Sequence, residues 1–568
     1  MMRNSMSDRS FVVESDDDDD ETKHHGGEES DGSDSSSSCG SPRVAGVLPV
    51  SSYNSTHQWP QSYRQSMDMY SSVQSPSLSG FLHQGTPRLS RLSSSFLSSF
   101  RGKPPAPPEI AVSGGLIKPL LPPDDHYNDE EEGGVRKSSH QHLPPPRKAS
   151  SLFKIPEDQQ KKNPLPGGAG HEVGPYRQCS YTQGVLNGVN VLCGVGILST
   201  PYAVRQGGWL GLVILAVLAV LAWYTGVLLR RCLDSKEGLE TYPDIGHAAF
   251  GTPGRIIISI ILYMELYACC VEYLILESDN LSKLFPNAHL TIGGFTLDSH
   301  VLFAILTALI VMPTTWLRDL SCLSFISAGG VIASIVIVSC LFWAGLVDHV
   351  GIDKSEGTAL NLPGIPIAIG LYGYCYSGHG VFPNIYSSLK KSNQFNAVVF
   401  TCITLSTILF AGAAIMGYIM FGESAESQFT LNLPPNLVSS KIAVWTTVTN
   451  PITKYALTMT PLALSLEELL PSNRQTYLNI ILLRSALVLS SLVVALSVPF
   501  FGLVMSLVGS LLTMFVAYIL PCACFLAILR STVTWYQVVL CVFIIAVGLC
   551  CAGIGTYSSL SKIIQSYQ

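Results

Sequence analysis

Charge is scarce in this chain: only 13% of its 568 residues are Asp, Glu, Lys or Arg, while 47% are hydrophobic. That balance excludes an ordinary soluble domain and fits a polytopic membrane protein joined to something polar; a bilayer is an expected partner and nucleic acid is not. A cleavable leader is also missing. Met1 to Val50 is charged and Ser-rich with no apolar run, so the first span is expected to act as signal anchor and leave the N-terminus in the cytosol. The 15 cysteines show neither a disulfide framework nor zinc spacing. They fall in predicted spans (Cys269, Cys270, Cys402, Cys550, Cys551) or ahead of the first span (Cys39, Cys179), and Cys522-Ala523-Cys524 reads as packing. No nucleotide-binding, intramembrane-protease or metalloprotease motif is present. An enzyme, a bound metal and an organic cofactor are therefore not expected.

What is present divides in two. Residues 1–177 hold an acidic run (Asp16 to Asp20), a serine run (Ser35 to Ser38) and proline clusters around Pro104 and Pro144. Such a segment buries too little apolar surface to offset its chain entropy, so a disordered tail is expected. Serines near Ser33, and Ser93 and Ser150 after basic residues, are candidate kinase sites; a solvated tether with no specific role fits equally well. Arg88 to Arg101 is a candidate amphipathic patch for anionic lipid, and Tyr70-Ser71-Ser72-Val73 has the pattern of a sorting signal.

Residues 178–568 form the membrane domain, with eleven apolar segments near bilayer length. The first five are Tyr181–Tyr202, Trp209–Leu229, Gly254–Leu276, Leu297–Thr314 and Cys322–Leu346. The next six are Ile365–Leu389, Ala397–Phe421, Ile442–Leu466, Tyr477–Val498, Phe501–Ile528 and Trp535–Tyr557. Lys and Arg concentrate on one side: Arg230, Arg231, Lys236, Arg255, Arg318, Lys390, Lys391, Arg474 and Arg530. The other side holds Arg205, Lys283, Lys354, Lys441 and Lys562. That asymmetry predicts a cytosolic N-terminus and, with an odd number of spans, a C-terminus on the lumenal side. Asn280-Leu281-Ser282 is then a lumenal glycosylation sequon lying close to the bilayer. Tyr242 to Gly251 reads as a short interfacial helix or as a loop on the membrane surface.

Two spans are irregular. The first runs through Asn187, Asn190, Gly194, Gly196 and Pro201; the sixth through Gly378, His379, Gly380 and Pro383. Glycine lets the backbone leave helical geometry, and freed N–H and C=O groups at membrane depth then need protein or ligand partners. Glycine and proline also serve ordinary helix packing. Five spans separate the two interruptions, an odd offset that makes the second run opposite to the first. Interrupted spans at corresponding positions of two inverted halves, spans 1–5 and 6–10, point to a transporter's midplane site.

These residues carry a resemblance. Asn190, Gly194-x-Gly196-Ile197-Leu198, Pro201-Tyr202-Ala203 and Gly207-Gly208-Trp209 resemble the amino acid/auxin permease family. Ser377-Gly378-His379 with Val381 to Tyr386, and Tyr242-Pro243-Asp244-Ile245-Gly246, are similar to its plant vacuolar amino-acid transporter branch. The resemblance implies an all-α polytopic protein of about eleven transmembrane helices with a LeuT-like 5+5 inverted repeat and broken helices 1 and 6. It further implies proton-coupled movement of neutral amino acids across the vacuolar membrane, with exchange favoured over symport. Sodium coupling at the plasma membrane and an amino-acid sensor with slow transport are the alternatives.

An amino acid presents a carboxylate to half-helix N–H groups and an ammonium to opened carbonyls. The expected substrate site is therefore the backbone of Gly194, Val195, Gly196 and Ile197, facing Tyr376, Ser377 and Gly378. Ionisable residues cost roughly 2.5–3.5 kcal/mol at the centre of a span, so each is a functional candidate. His379 leads as proton site. Glu265 and Glu272, seven residues apart on one helix face, follow. Asn190 reads either as a coupling-ion ligand or as a helix-bridging amide. Lys454, if inward-facing, takes the place where relatives hold a cation, and Arg484 is expected to pair with an acid.

Overall fold

The computed structural model describes residues 59–70, 179–292, 294–317, 329–351 and 357–568. Among the described residues the membrane domain is a succession of apolar helices. Six helices are both long and apolar enough to cross a bilayer: Gly211–Leu233, Tyr242–Leu284, Ser392–Ser424, Tyr477–Ser497, Phe501–Ile528 and Trp535–Gln565. The first span is a bent pair, Tyr181–Leu192 and Val195–Gly207, turned by 49° at its break. Shorter apolar helices, Ser299–Thr315, Gly330–Leu346 and Leu362–Tyr374, supply the fourth, fifth and the first half of the sixth. Val438–Leu469, which carries Lys454 and the Glu467-Glu468 pair, is the eighth. Side chains such as Val220, Ile408, Val493 and Phe543 stand outward and exposed, as a lipid-facing surface requires.

Local chemistry explains the boundaries. The third helix starts at Tyr242 with a capping box between Thr241 and Asp244 and turns at Gly251, whose φ of 69° is a left-handed conformation suited to glycine. The short helix before that turn folds back on the span after it: a Cβ on Gly254 would meet the Gly246 carbonyl at 2.4 Å. Arg255 locks the corner by bonding Asp244 at 3.0 Å. Of the two readings of this stretch, a helix rather than a loop is present. The same span runs on to Leu284, past its expected end near Leu276, because Asn280 is buried and bonded. Its amide donates to Leu276 O and Gln428 Oε1 at 2.8 and 2.5 Å, and its oxygen accepts from Thr430 at 2.9 Å. A carbohydrate acceptor needs an accessible amide, so the sequon at Asn280 is structural.

The tail corrects an expectation. Disorder was the reading for all of residues 1–177, yet Tyr63–Tyr70 is a helix with Tyr63, Ser66 and Met67 buried in the membrane domain. The acidic run, the kinase-type serines and the Arg88 to Arg101 patch lie outside the described residues.

The sixth and tenth spans cross at backbone contact. A Cβ on Gly509 would meet Gly370 O at 1.9 Å, and one on Gly370 would meet Ser506 O at 2.3 Å. Neither neighbour is a flexible side chain that can yield. Gly509→Val is expected to lower stability by about 3 kcal/mol or more, at or beyond the upper end of ordinary overpacking; thermal unfolding of the purified protein in detergent measures it.

Candidate functional site: the paired helix breaks

The first span stops at Leu192 because Cys193 (φ −81°, ψ 56°) and Gly194 (φ −85°, ψ −143°) leave helical geometry, and it resumes as a tight 3-10 turn over Val195–Ser199. Neighbouring spans meet two of the freed carbonyls. Asn190 O accepts from Lys454 Nζ at 3.3 Å, and Cys193 O accepts from Ser334 Oγ of the fifth span at 2.8 Å. The first N–H groups of the resumed half have no partner within their own helix, as at any helix start. They form the positive end of its dipole.

The sixth span stops at Tyr374 and resumes at Phe382. Between them the chain winds in tight turns, with Ser377 N–H on Tyr374 O at 3.1 Å and Gly378 N–H on Tyr376 O at 2.8 Å. The two breaks meet. Cys375 Sγ lies 3.8 Å from Gly196 O. A Cβ on Gly378 would strike Leu192 at 2.8 Å, and one on Gly196 would touch Tyr374 and Cys375 at 3.4 Å. Within this cradle Gly194 and Ser377 are the partly open positions, and Val195, Gly196, Ile197, Tyr376 and Gly378 are buried. Tyr376 contributes main chain only, because its hydroxyl turns to Thr407 Oγ1 at 2.9 Å and Leu215 O at 3.3 Å.

The ionisable candidates separate into distinct environments. His379 is fully buried, with Nε2 2.9 Å from Thr225 Oγ1 and 3.2 Å from Ala222 O. It stacks on Phe382 at 4.9 Å between ring centroids, so it ties the sixth-span break to the second span. Glu265 accepts from Thr513 Oγ1 at 2.8 Å, on the stretch Gly509–Ile519 where the tenth span winds as a π-helix. Such local rewinding is frequent at functional sites. Glu272 is completely buried, and neither oxygen has a hydrogen bond of full geometry among the described residues, with the Tyr374 hydroxyl as its polar neighbour. Tyr374, the last helical residue before the sixth-span break, lies within its electrostatic reach and has its hydroxyl 3.3 Å from Cys269 Sγ. Glu265 and Glu272 do share the inner face of the third span. Arg484 pairs with Glu467 at 2.7 Å, as expected of it.

Two further groups were not anticipated. Glu277, one turn beyond Glu272 and 1% exposed, is unpaired among the described residues. Its signal was an acid inside an extended apolar helix, hidden by placing the span's end at Leu276. Gly330 of the fifth span is what lets Lys454 reach Asn190: a Cβ there would meet Asn190 Oδ1 at 2.3 Å and Lys454 Nζ at 2.9 Å. Nothing in the local sequence marks that role, because it depends on two other spans.

A family model described as transmembrane amino acid transporter protein matches residues 177–561, which takes in both breaks and every candidate above. The chain belongs to that family. It is 56% identical over 565 residues, 99% of each chain, to a protein of Arabidopsis thaliana named amino acid transporter AVT1C. It is also 56% identical over 508 residues, 89% of each chain, to amino acid transporter AVT1B of the same plant. The resemblance read from the motifs thus holds for family and branch, and the family is one of transporters. Among solved structures, MhsT in complex with L-phenylalanine aligns over 68% of this chain and all of its own, at 12% identity and a TM-score of 0.45. A manganese transporter of Eremococcus coleocola aligns over 69% of this chain and 88% of its own, at 14% identity and a TM-score of 0.41.

In this transporter Gly330→Val forces apart the Asn190 and Lys454 contact without touching the cradle itself. The expected cost is about 1–3 kcal/mol of stability, with amino-acid binding weakened about tenfold or more by a displaced first-span carbonyl. Thermal-shift titration with amino acids reads both effects.

Proposed function

We propose that the transporter moves neutral amino acids across the vacuolar membrane in exchange for protons, with the Arg- and Lys-rich side facing the cytosol. The observation that carries this reading is the meeting of two interrupted spans; in it the helix-start N–H groups of the resumed first span bind the carboxylate, and main-chain carbonyls at the breaks take the ammonium. Both ends of a zwitterion are met by main chain, and Leu192, Val195, Ile197 and Cys375 around the cradle carry no charge, which favours neutral side chains.

The coupling follows from charge placement. Lys454 brings a fixed amine to the opened carbonyl of Asn190, the kind of position where a bound cation would otherwise neutralise that oxygen. A tethered amine there supports transport without sodium. Glu272 is the coupling carboxyl in this reading: buried, without a hydrogen bond of full geometry and next to the Tyr374 hinge, it changes the charge beside the sixth-span break whenever it gains or loses a proton. His379, clamped between the second span and Phe382, positions the break, and Glu265 holds the third span to the tenth.

The test is flux of labelled neutral amino acids in sodium-free proteoliposomes with a pH gradient imposed in each direction. Uptake into acidic vesicles, abolished by a protonophore, is expected. Glu272→Gln should lose about tenfold or more of the gradient-driven rate while retaining exchange of labelled for unlabelled amino acid. Uptake only when the outside is acidic would establish symport instead. Retained coupling in Glu272→Gln, with coupling lost in His379→Gln, would move the proton site to the histidine.

A further inference from the structure

The segment Trp59–Tyr70 lies far upstream of the first span in sequence, yet it sits inside the mouth of the transporter on the Arg- and Lys-rich side. Its helix is eight residues long, too short to persist alone in water, so packing must hold it. Tyr63, Ser66 and Met67 are no more than 2% exposed, and with Tyr70 they form one helical stripe.

The contacts are specific and many are polar. Trp59 Nε1 donates to Ser465 O at 2.9 Å. The main-chain N–H groups of Gln61 and Ser62 donate to the Glu468 carboxylate at 3.0 and 2.5 Å, and Arg64 pairs with Glu240. Three bonds reach the sixth span itself. Tyr63 Oη donates to Gly380 O at 3.1 Å, and Asn384 Nδ2 donates to Arg64 O at 3.2 Å and Asp68 Oδ1 at 3.1 Å. Gly380 belongs to the break and Asn384 to the half-helix after it, so the segment grips an element that alternating access has to move.

Its tip reaches the first-span break. Tyr70 packs on Leu457 and faces Asn190, Gly194, Tyr273 and Lys454 across a cavity of about 20 Å³. A space of that size holds about one water and no amino acid.

We propose that this vestibule is a binding site for an aromatic, amphipathic peptide, that its occupant is the chain's own segment Trp59–Tyr70, and that transport requires the segment to leave. The closed form is then an autoinhibited one, and only the released fraction is competent. Substrate and segment compete for the same mouth, so amino acid on that side favours release.

The proposal rests on the transport reading above, so its test carries a readout that needs no flux. In proteoliposomes of the full chain, Tyr63→Asp should raise the initial rate at subsaturating amino acid about threefold or more. A synthetic peptide with the sequence of residues 59–70, added in excess, should bring it back. Trp59→Ala, which removes an outer contact only, should act in the same direction and guards against misfolding of the first variant. Separately, Ser66→Cys should react slowly with an impermeant maleimide, read by mass spectrometry at that position. Combining it with Tyr63→Asp should speed labelling about tenfold or more, as local opening is made easier. Equally fast labelling with and without Tyr63→Asp would overturn the docking. Unchanged flux in Tyr63→Asp and Trp59→Ala, with labelling accelerated, would overturn autoinhibition. Absence of flux in every form, with labelling still accelerated by Tyr63→Asp, would sink the transport reading and leave the peptide site standing.

Discussion

At membrane depth, a main chain that leaves helical geometry must find partners for its N–H and C=O groups, and this constraint organises the transporter. The first and sixth spans break at Gly194 and between Tyr374 and Phe382. Two carbonyls at the first-span break, those of Asn190 and Cys193, accept from Lys454 and Ser334 of spans distant in sequence. The two breaks meet where Cys375 lies against Gly196. The third, fifth, eighth and tenth spans are arranged around the consequences of those two interruptions, and each contributes a specific contact to them.

The cost of such an arrangement is concentrated in buried polar groups. Glu272 and Glu277 lie inside the third span without a hydrogen bond of full geometry, and Asn190 Oδ1 has no partner among the described residues. A protein selected for stability alone has no use for these groups. Unpaired buried polar atoms beside a hinge are where a proton, a substrate or a conformational change exerts most leverage. The tail helix adds another layer, since it satisfies Gly380 O and closes the mouth with Tyr70.

Much of this was legible in the sequence for physical reasons. Paired glycines within apolar stretches announced the breaks. The seven-residue spacing of Glu265 and Glu272 placed both on one helix face. Other features were hidden because they depend on contacts between distant segments. Gly330 looks like any small residue in a membrane helix until Lys454 and Asn190 approach it. The third span runs past Leu276 only because Gln428 and Thr430 supply partners for Asn280. The tail helix did leave a trace, since Tyr63, Ser66, Met67 and Tyr70 recur with helical period. A single polar-rich turn inside a long Ser- and Pro-rich tail was outweighed by its surroundings.

The central claim is that the opened main chain of the first and sixth spans holds the amino acid. A cryo-electron microscopy structure of the full chain with a neutral amino acid bound tests it most directly. The account predicts ligand density between Gly194–Ile197 and Cys375–Ser377, with Tyr70 displaced from the mouth. Density elsewhere in the bundle, or first and sixth spans that run as unbroken helices, would contradict it.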